Sequence, residues 1–317
     1  MTDLMVEAQG LRKRFGTTQA VDGVDLSLAR GSILGVLGPN GAGKTTMLRI
    51  LTTLTRPDAG WARVAGHDVM REPAVVRRRI GVAAQDATLD GLLTGRQNLA
   101  MVGRLSQMDG AATTRRSVEL LERFELTDAA DRPVKTYSGG MRRRLDLAAS
   151  VMARPTVLFL DEPTTGLDPV SRVRVWNVVR SLVDEGATVL LTTQYLDEAD
   201  RLADRIVIID HGRVVAEDTP AQLKRRIGGG VLEVHLTQAH PEAASVLAHL
   251  VEGPFRVEDD GRRLRAPVAS TVGLVAPAVR ALDDAGVDVE DIAIHQPSLD
   301  DVFMRLTGNG SQTQEAA

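Results

Sequence analysis

The chain contains no cysteine, which excludes a disulfide framework and fits a reducing compartment. No apolar run approaches the roughly 18 residues that a membrane helix needs, so no transmembrane segment is expected. The opening stretch "MTDLMVEAQG" has neither a basic n-region nor an apolar h-region, and no secretory signal is expected. A strong charge of one sign is also missing. A formal net charge of -4 and a pI near 5.9 give no general attraction to nucleic acid or to an anionic surface, so no nucleic-acid partner is expected. Basic residues are almost all arginine, which makes an "RRR" run uninformative. Arg77–Arg79 and Arg142–Arg144 therefore read as solvated helix faces, with a phosphate or partner contact as the other reading. The six histidines show no metal-ligand spacing, and no zinc site is expected.

What is present suffices for two domains. The 317 residues, 43% of them hydrophobic, allow one large core and one small one. Short β-rich segments, "MVEAQGLRKRF" and "AVDGVDLSL", lead to the buried-strand run "GSILGVLG". Strand-like "GWARVAG" and "IGVAAQ" follow, then a helical region over about 88–150. Strands return at "TVLFLD", "TVLLTT" and "RIVIID", separated by helical stretches. That alternation predicts a mostly parallel sheet covered on both faces. Three glycines in "RRIGGG" mark a boundary, giving domains 1–227 and 228–307 and a disordered tail over 308–317. The second domain reads as βαββαβ, a small α+β ferredoxin-like unit. A last helix, "SLDDVFMRL", carries Leu299, Val302, Phe303 and Leu306 on one face, with Ser298 as its N-cap. That face either closes the small domain's own core or meets a partner.

Two motifs carry chemistry. "GPNGAGKT" (Gly38, Pro39, Asn40, Gly41, Ala42, Gly43, Lys44 and Thr45, with Thr46 next) matches a phosphate-binding loop, with a strand before and a helix after. Glycines are needed where the backbone must wrap phosphates closely. The helix N-terminus adds partial positive charge, Lys44 a full one, and the Thr45 hydroxyl can ligate Mg²⁺. "TVLFLDEP" ends a buried strand on Asp161, placing a carboxylate near that metal. Glu162 follows, where it could orient or deprotonate a water attacking a γ-phosphate. Gln194, at the end of "TVLLTT", is a polar group where a buried strand stops, a common position for a catalytic side chain. In "YSGGMRRRLDLAA", Ser138 can cap a helix while Gly139 and Gly140 leave its first N–H groups open to an anion.

That last segment resembles the signature motif of ATP-binding cassette (ABC) ATPases, although Met141 stands where the best-known form has glutamine. The resemblance covers residues 4 to about 224. It implies a P-loop NTPase of ABC type: a mostly parallel α/β core, an antiparallel β subdomain and a helical subdomain. It also implies adenine stacking on Phe15, a Q-loop at Gln85 that reaches the metal, and a D-loop at Asp168. Taken singly, Phe15 is an apolar strand residue and Gln85 a strand-end polar group. "YSGGMRRRLD", "LLTTQYLDEADRLADRI" and "QPSLDDVFMRLTG" are similar to the daunorubicin/doxorubicin-resistance branch of exporter ATPases, several members of which have glutamine at the Gln194 position.

The resemblance implies an ATP-hydrolysing exporter subunit at the cytoplasmic face of the cell membrane. Two copies would sandwich two ATP molecules and drive separate integral-membrane permease subunits, with Gln85 and residues 88–150 relaying the closure. Two rivals are a ribosome- or DNA-acting ABC ATPase and a nucleotide-dependent regulatory or drug-binding protein that never turns over. Glutamine at Gln194 can donate to a phosphate oxygen but cannot carry charge or shuttle a proton.

Overall fold

The computed structural model describes residues 3–84, 89–226, 230–269, 273–295 and 298–307. It divides into two compact units, Met1–Glu217 and Asp218–Ala317, so the division falls ahead of the glycine run.

In the first unit, β1 (Leu4–Phe15) and β2 (Thr18–Ala29) pair antiparallel, with Phe15 opposite Thr18 at the hairpin end. Strand β3 (Ile33–Leu37) is buried at all five positions. The phosphate-loop segment follows and opens into α1 (Lys44–Leu51). Eight residues are too few for a helix to persist alone. Met47, Ile50 and Leu51 are buried in the main core, each such burial contributing about 1.5–3 kcal/mol, and packing fixes the helix. Strands β4 (Ala59–Val64) and β5 (His67–Asp68) complete an antiparallel sheet in the order β2-β1-β4-β5.

Helix α2 (Pro73–Arg79) leads into β6 (Ile80–Ala83). A helical region follows, with α3 (Gly95–Leu105), α4 (Gly110–Arg123) and α5 (Gly139–Ser150). Each start has a side-chain cap: Thr94 with a reciprocal Gln97 bond, Asp109, and Ser138. Strand β7 (Val157–Asp161), helix α6 (Pro169–Asp184), strand β8 (Thr188–Thr193), helix α7 (Leu196–Leu202) and strands β9 (Arg205–Asp210) and β10 (Arg213–Asp218) finish the unit. The central sheet has the order β10-β9-β3-β8-β7-β6. The β9-β3-β8-β7-β6 run is parallel throughout, and β3, β7 and β8 are wholly buried. The predicted parallel core and antiparallel β sheet are both present.

The second unit begins with α8 (Pro220–Arg225), then β11 (Gly230–Leu236), α9 (Ala243–Leu247), β12 (Arg256–Glu258), β13 (Arg263–Val268), α10 (Val275–Asp284), β14 (Val289–His295) and α11 (Leu299–Thr307). Its sheet order β12-β13-β11-β14 is antiparallel at every pairing, as the βαββαβ reading requires. Leu232, Val234, Leu264 and Leu282 belong to its own core. Helix α11 packs against α8; Leu299 and Val302 are buried while Leu306 is 40% exposed. Ser298 accepts from the Asp301 amide at 3.2 Å, the expected N-cap bond. Among the described residues no helix is long and apolar enough to cross a membrane.

Candidate functional site

The loop between β3 and α1 can take its path only with glycine. Gly43 sits at φ 105°, and a Cβ there would lie 2.1 Å from the Ala20 carbonyl oxygen. A Cβ on Gly38 would lie 2.3 Å from the Ile209 carbonyl oxygen. The loop is thus pressed against β2 and β9. Helix α1 starts directly on Lys44 with no side-chain cap and no acidic residue in its first turn, an arrangement that favours an anion.

Lys44 is nearly withdrawn from solvent. Its Nζ donates to the Gly38 and Pro39 carbonyl oxygens at 2.8 and 3.1 Å and lies 3.5 Å from Glu162 Oε1. Burial pulls its pKa below the ordinary lysine range, and the Glu162 and Asp161 carboxylates oppose that pull. Thr45 Oγ1 donates to Asp161 Oδ1 at 3.3 Å, and Thr192 Oγ1, from β8, donates to the same oxygen at 2.5 Å. A buried carboxylate and a hydroxyl from two different elements make an all-oxygen donor set, the type Mg²⁺ takes.

Glu162 has a backbone that few non-glycine residues adopt, with φ 49°. Its amide donates to the Thr192 carbonyl and hydroxyl oxygens, both at 3.1 Å. Its Oε2 accepts from Thr165 Oγ1 at 3.2 Å. The strand end, the phosphate loop and the end of β8 converge on one cleft of about 530 Å³. Thr18, Ala20, Asn40, Gly41, Ala42, Gly43, Lys44, Thr45, Thr46, Glu162, Thr165 and Gln194 line it. Among the described residues the half-buried Gln194 side chain makes no hydrogen bond and is free to turn toward a ligand in the cleft.

Phe15 is 52% exposed, with Lys13 Nζ 5.4 Å above its ring, and its hairpin partner Thr18 lines the cleft. Ser138, Gly139 and Gly140 lie at the start of α5 and are not among the cleft's lining residues. Ser138 caps the helix by accepting from Met141 N at 3.2 Å. Gly140 faces Ser171, whose hydroxyl donates to Asp168, the N-cap of α6, at 2.6 Å. Gln85 lies outside the described residues.

The solvated reading of the arginine runs needs correction. Arg77, Arg78, Arg79 and Arg142 are exposed, but only 11% of the Arg143 side chain and 12% of that of Arg144 reach solvent. Arg144 caps carbonyls at Phe124 and Glu125, and Arg143 bonds backbone around the cleft. Sequence reasoning also passed over Glu198, fully buried on α7. It accepts from Thr164 Oγ1 at 2.9 Å and Trp176 Nε1 at 3.0 Å, and burial pushes its carboxyl pKa up. Arg143 shares a helical face with Asp146 and the buried Leu147 at i, i+3 and i+4, a signal that could have revealed its burial.

Comparison with known proteins adds names to this geometry. The ABC transporter family profile matches residues 21–165. The daunorubicin resistance ATP-binding protein DrrA2 of Streptomyces coeruleorubidus is 54% identical over 318 residues, covering 100% of this chain and 99% of the relative. The daunorubicin/doxorubicin resistance ATP-binding protein DrrA of Streptomyces peucetius is 51% identical, covering 98% and 96%. The Nod factor export ATP-binding protein I of Ralstonia nicotianae is 42% identical, covering 96% and 94%. A solved dimeric ATP-binding cassette in a post-hydrolysis state, bound to ADP and Pi, superposes with a TM-score of 0.63 at 27% identity, covering 68% of this chain and 98% of that one.

Proposed function

Since the chain belongs to the ABC transporter ATP-binding proteins, in the daunorubicin/doxorubicin-resistance branch, we propose that it is the ATP-hydrolysing subunit of a drug or antibiotic exporter. The carrying observation is the convergence of Lys44, Glu162 and Gln194 on one cleft beside a glycine-shaped loop. ATP phosphates enter that cleft over the amides of Gly41 to Thr46, and the adenine stacks on Phe15. Lys44 turns from the Gly38 and Pro39 carbonyls to the β- and γ-phosphates. Thr45 and Asp161, with Gln85, would hold Mg²⁺, which when bound neutralises phosphate charge.

Glu162 orients the attacking water and takes its proton. Gln194 donates to a γ-phosphate oxygen and holds it in line. Ser138, Gly139 and Gly140, which lie at the start of α5 and not in this cleft, would meet the γ-phosphate held by a second copy, so the working unit is a homodimer with two shared sites. Asp168, capping α6 beside Gly140, belongs to the same interface. Closure is then a population shift, because ATP touches both copies only when they meet.

The chain would work at the cytoplasmic face of the membrane on separate permease subunits. A larger cleft, about 900 Å³, lies between α2, α3, α4 and the end of α5. Five arginines (Arg77, Arg78, Arg115, Arg116 and Arg154) line it together with Leu105, Met108 and Met152. A cleft that mixes arginines with apolar side chains suits a docked segment of such a subunit. The full-length similarity to resistance and export proteins favours this reading over a ribosome- or DNA-acting ATPase or a non-hydrolysing regulator. Phosphate release from ATP by the chain, alone and with permease-containing membranes, tests the proposal. Turnover that rises with the permease supports it, and a chain that binds ATP but never releases phosphate contradicts it.

A further inference from the structure

Arg143 projects from the second turn of α5, five residues after Ser138. Each of its three guanidinium nitrogens reaches a different carbonyl oxygen: Nε that of Pro163 at 2.8 Å, Nη1 that of Ala84 at 2.6 Å, and Nη2 that of Asp161 at 2.9 Å. Asp146, one turn on and buried, holds Nη1 at 3.2 Å. Asp161 and Pro163 are the two neighbours of Glu162. One side chain therefore clamps the peptide on both sides of the residue assigned to the water, and Thr192 grips its amide.

That clamp has a purpose in the backbone. Glu162 stands at φ 49°, a region that costs an L-residue free energy and persists only where the surroundings over-determine it. Released, the Asp161–Pro163 segment would relax toward ordinary φ and swing the carboxylate away from Lys44. The three carbonyls come from two segments far apart in sequence, Ala84 on one and Asp161 and Pro163 on the other, so no single-nitrogen side chain can hold them together.

We propose that Arg143 is a positioning residue that keeps Glu162 in its strained, cleft-facing conformation and ties it to the helix bearing Ser138. This rests on the reading of Glu162 as the group that acts on water. Helix α5 and the Glu162 segment then move as one piece, so contact of Ser138 with a nucleotide bears directly on the carboxylate.

The test is Arg143→Lys, which keeps the charge but offers one nitrogen, beside Arg143→Gln, in the full chain. The expected result is a kcat reduced by roughly ten- to a hundredfold, below the 10²–10⁴ that loss of a general base costs. The KM for ATP should stay within about threefold, as when ground-state contacts persist. A wild-type kcat in Arg143→Lys overturns the proposal. So does an equal fall in melting temperature and ATP affinity in both variants, or failure of both to fold, either of which makes Arg143 a core residue only. Glu162→Gln is assayed alongside: if it turns over like wild type, the role of Glu162 fails, separately from the clamp, and this proposal goes with it.

Discussion

The Lys44 ammonium and the Glu162 carboxylate lie 3.5 Å apart, both nearly sealed from solvent. Each is a counter-charge to the other. Under the proposed function a phosphate entering the cleft would take Lys44 for itself and leave Glu162 free to bind water.

Lys44→Ala is expected to abolish hydrolysis and sharply weaken ATP binding, because it removes the charge on the phosphates. It also strands a buried carboxylate, which should cost on the order of 1–3 kcal/mol of stability. Adding Glu162→Gln to Lys44→Ala should recover that stability without recovering hydrolysis. Thermal melts and phosphate release, measured on both variants, separate the two effects. Wild-type turnover in Lys44→Ala would sink the site assignment.

Gln194 faces the same cleft from the end of β8. Gln194→Ala is expected to raise the barrier by about 2 kcal/mol, the scale of a charge-assisted hydrogen bond, which is roughly thirtyfold in rate. Gln194→His should keep substantial activity and add a pH dependence near the imidazole pKa. Turnover against pH for the three proteins checks this. An alanine variant equal to wild type would make Gln194 a bystander, and a silent wild type beside an active histidine variant would mean a dead natural site.

Glu198 gives a stability prediction with a definite sign. Burial raises its carboxyl pKa above the ordinary value near 4.5, so the folded chain holds a proton that the unfolded chain releases. Between the unfolded and folded pKa values the native state binds more protons, and stability therefore falls as pH rises. Glu198→Gln keeps an acceptor for Thr164 and Trp176 and has nothing to ionise. Its melting temperature should lose less than that of wild type as pH climbs from about 4.5 upward; parallel curves would contradict this.

The two cores share no residue, since every phosphate-loop element belongs to the first unit and α8 packs on α11 in the second. A chain shortened to residues 1–217 should fold and bind ATP. Equilibrium binding of a fluorescent ATP analogue tests it, and loss of binding with loss of cooperative melting would show that the units depend on each other.

Much of this was legible in the sequence, for local reasons. The phosphate loop declares itself because Gly38 and Gly43 answer steric demands within a few residues, and the runs "ILGVL", "VLFLD" and "TVLLTT" are apolar because the sheet buries them on both faces. Helix α8 and strand β10 were not, being six residues each, too short for a period to show. Arg143 was hidden for another reason. Its three carbonyl partners lie 18 to 59 residues away, and beyond the local Asp146 pairing a run of three arginines looks the same whether its middle member is solvated or clamped.

The most direct test of the account is the mass of Glu162→Gln in solution with and without Mg-ATP, by light scattering. Binding should persist while the water is no longer activated, so ATP should carry the variant from monomer to a stable dimer. Adding Lys44→Ala should return it to monomer. An ATP-loaded Glu162→Gln chain that stays monomeric would contradict the shared-site mechanism.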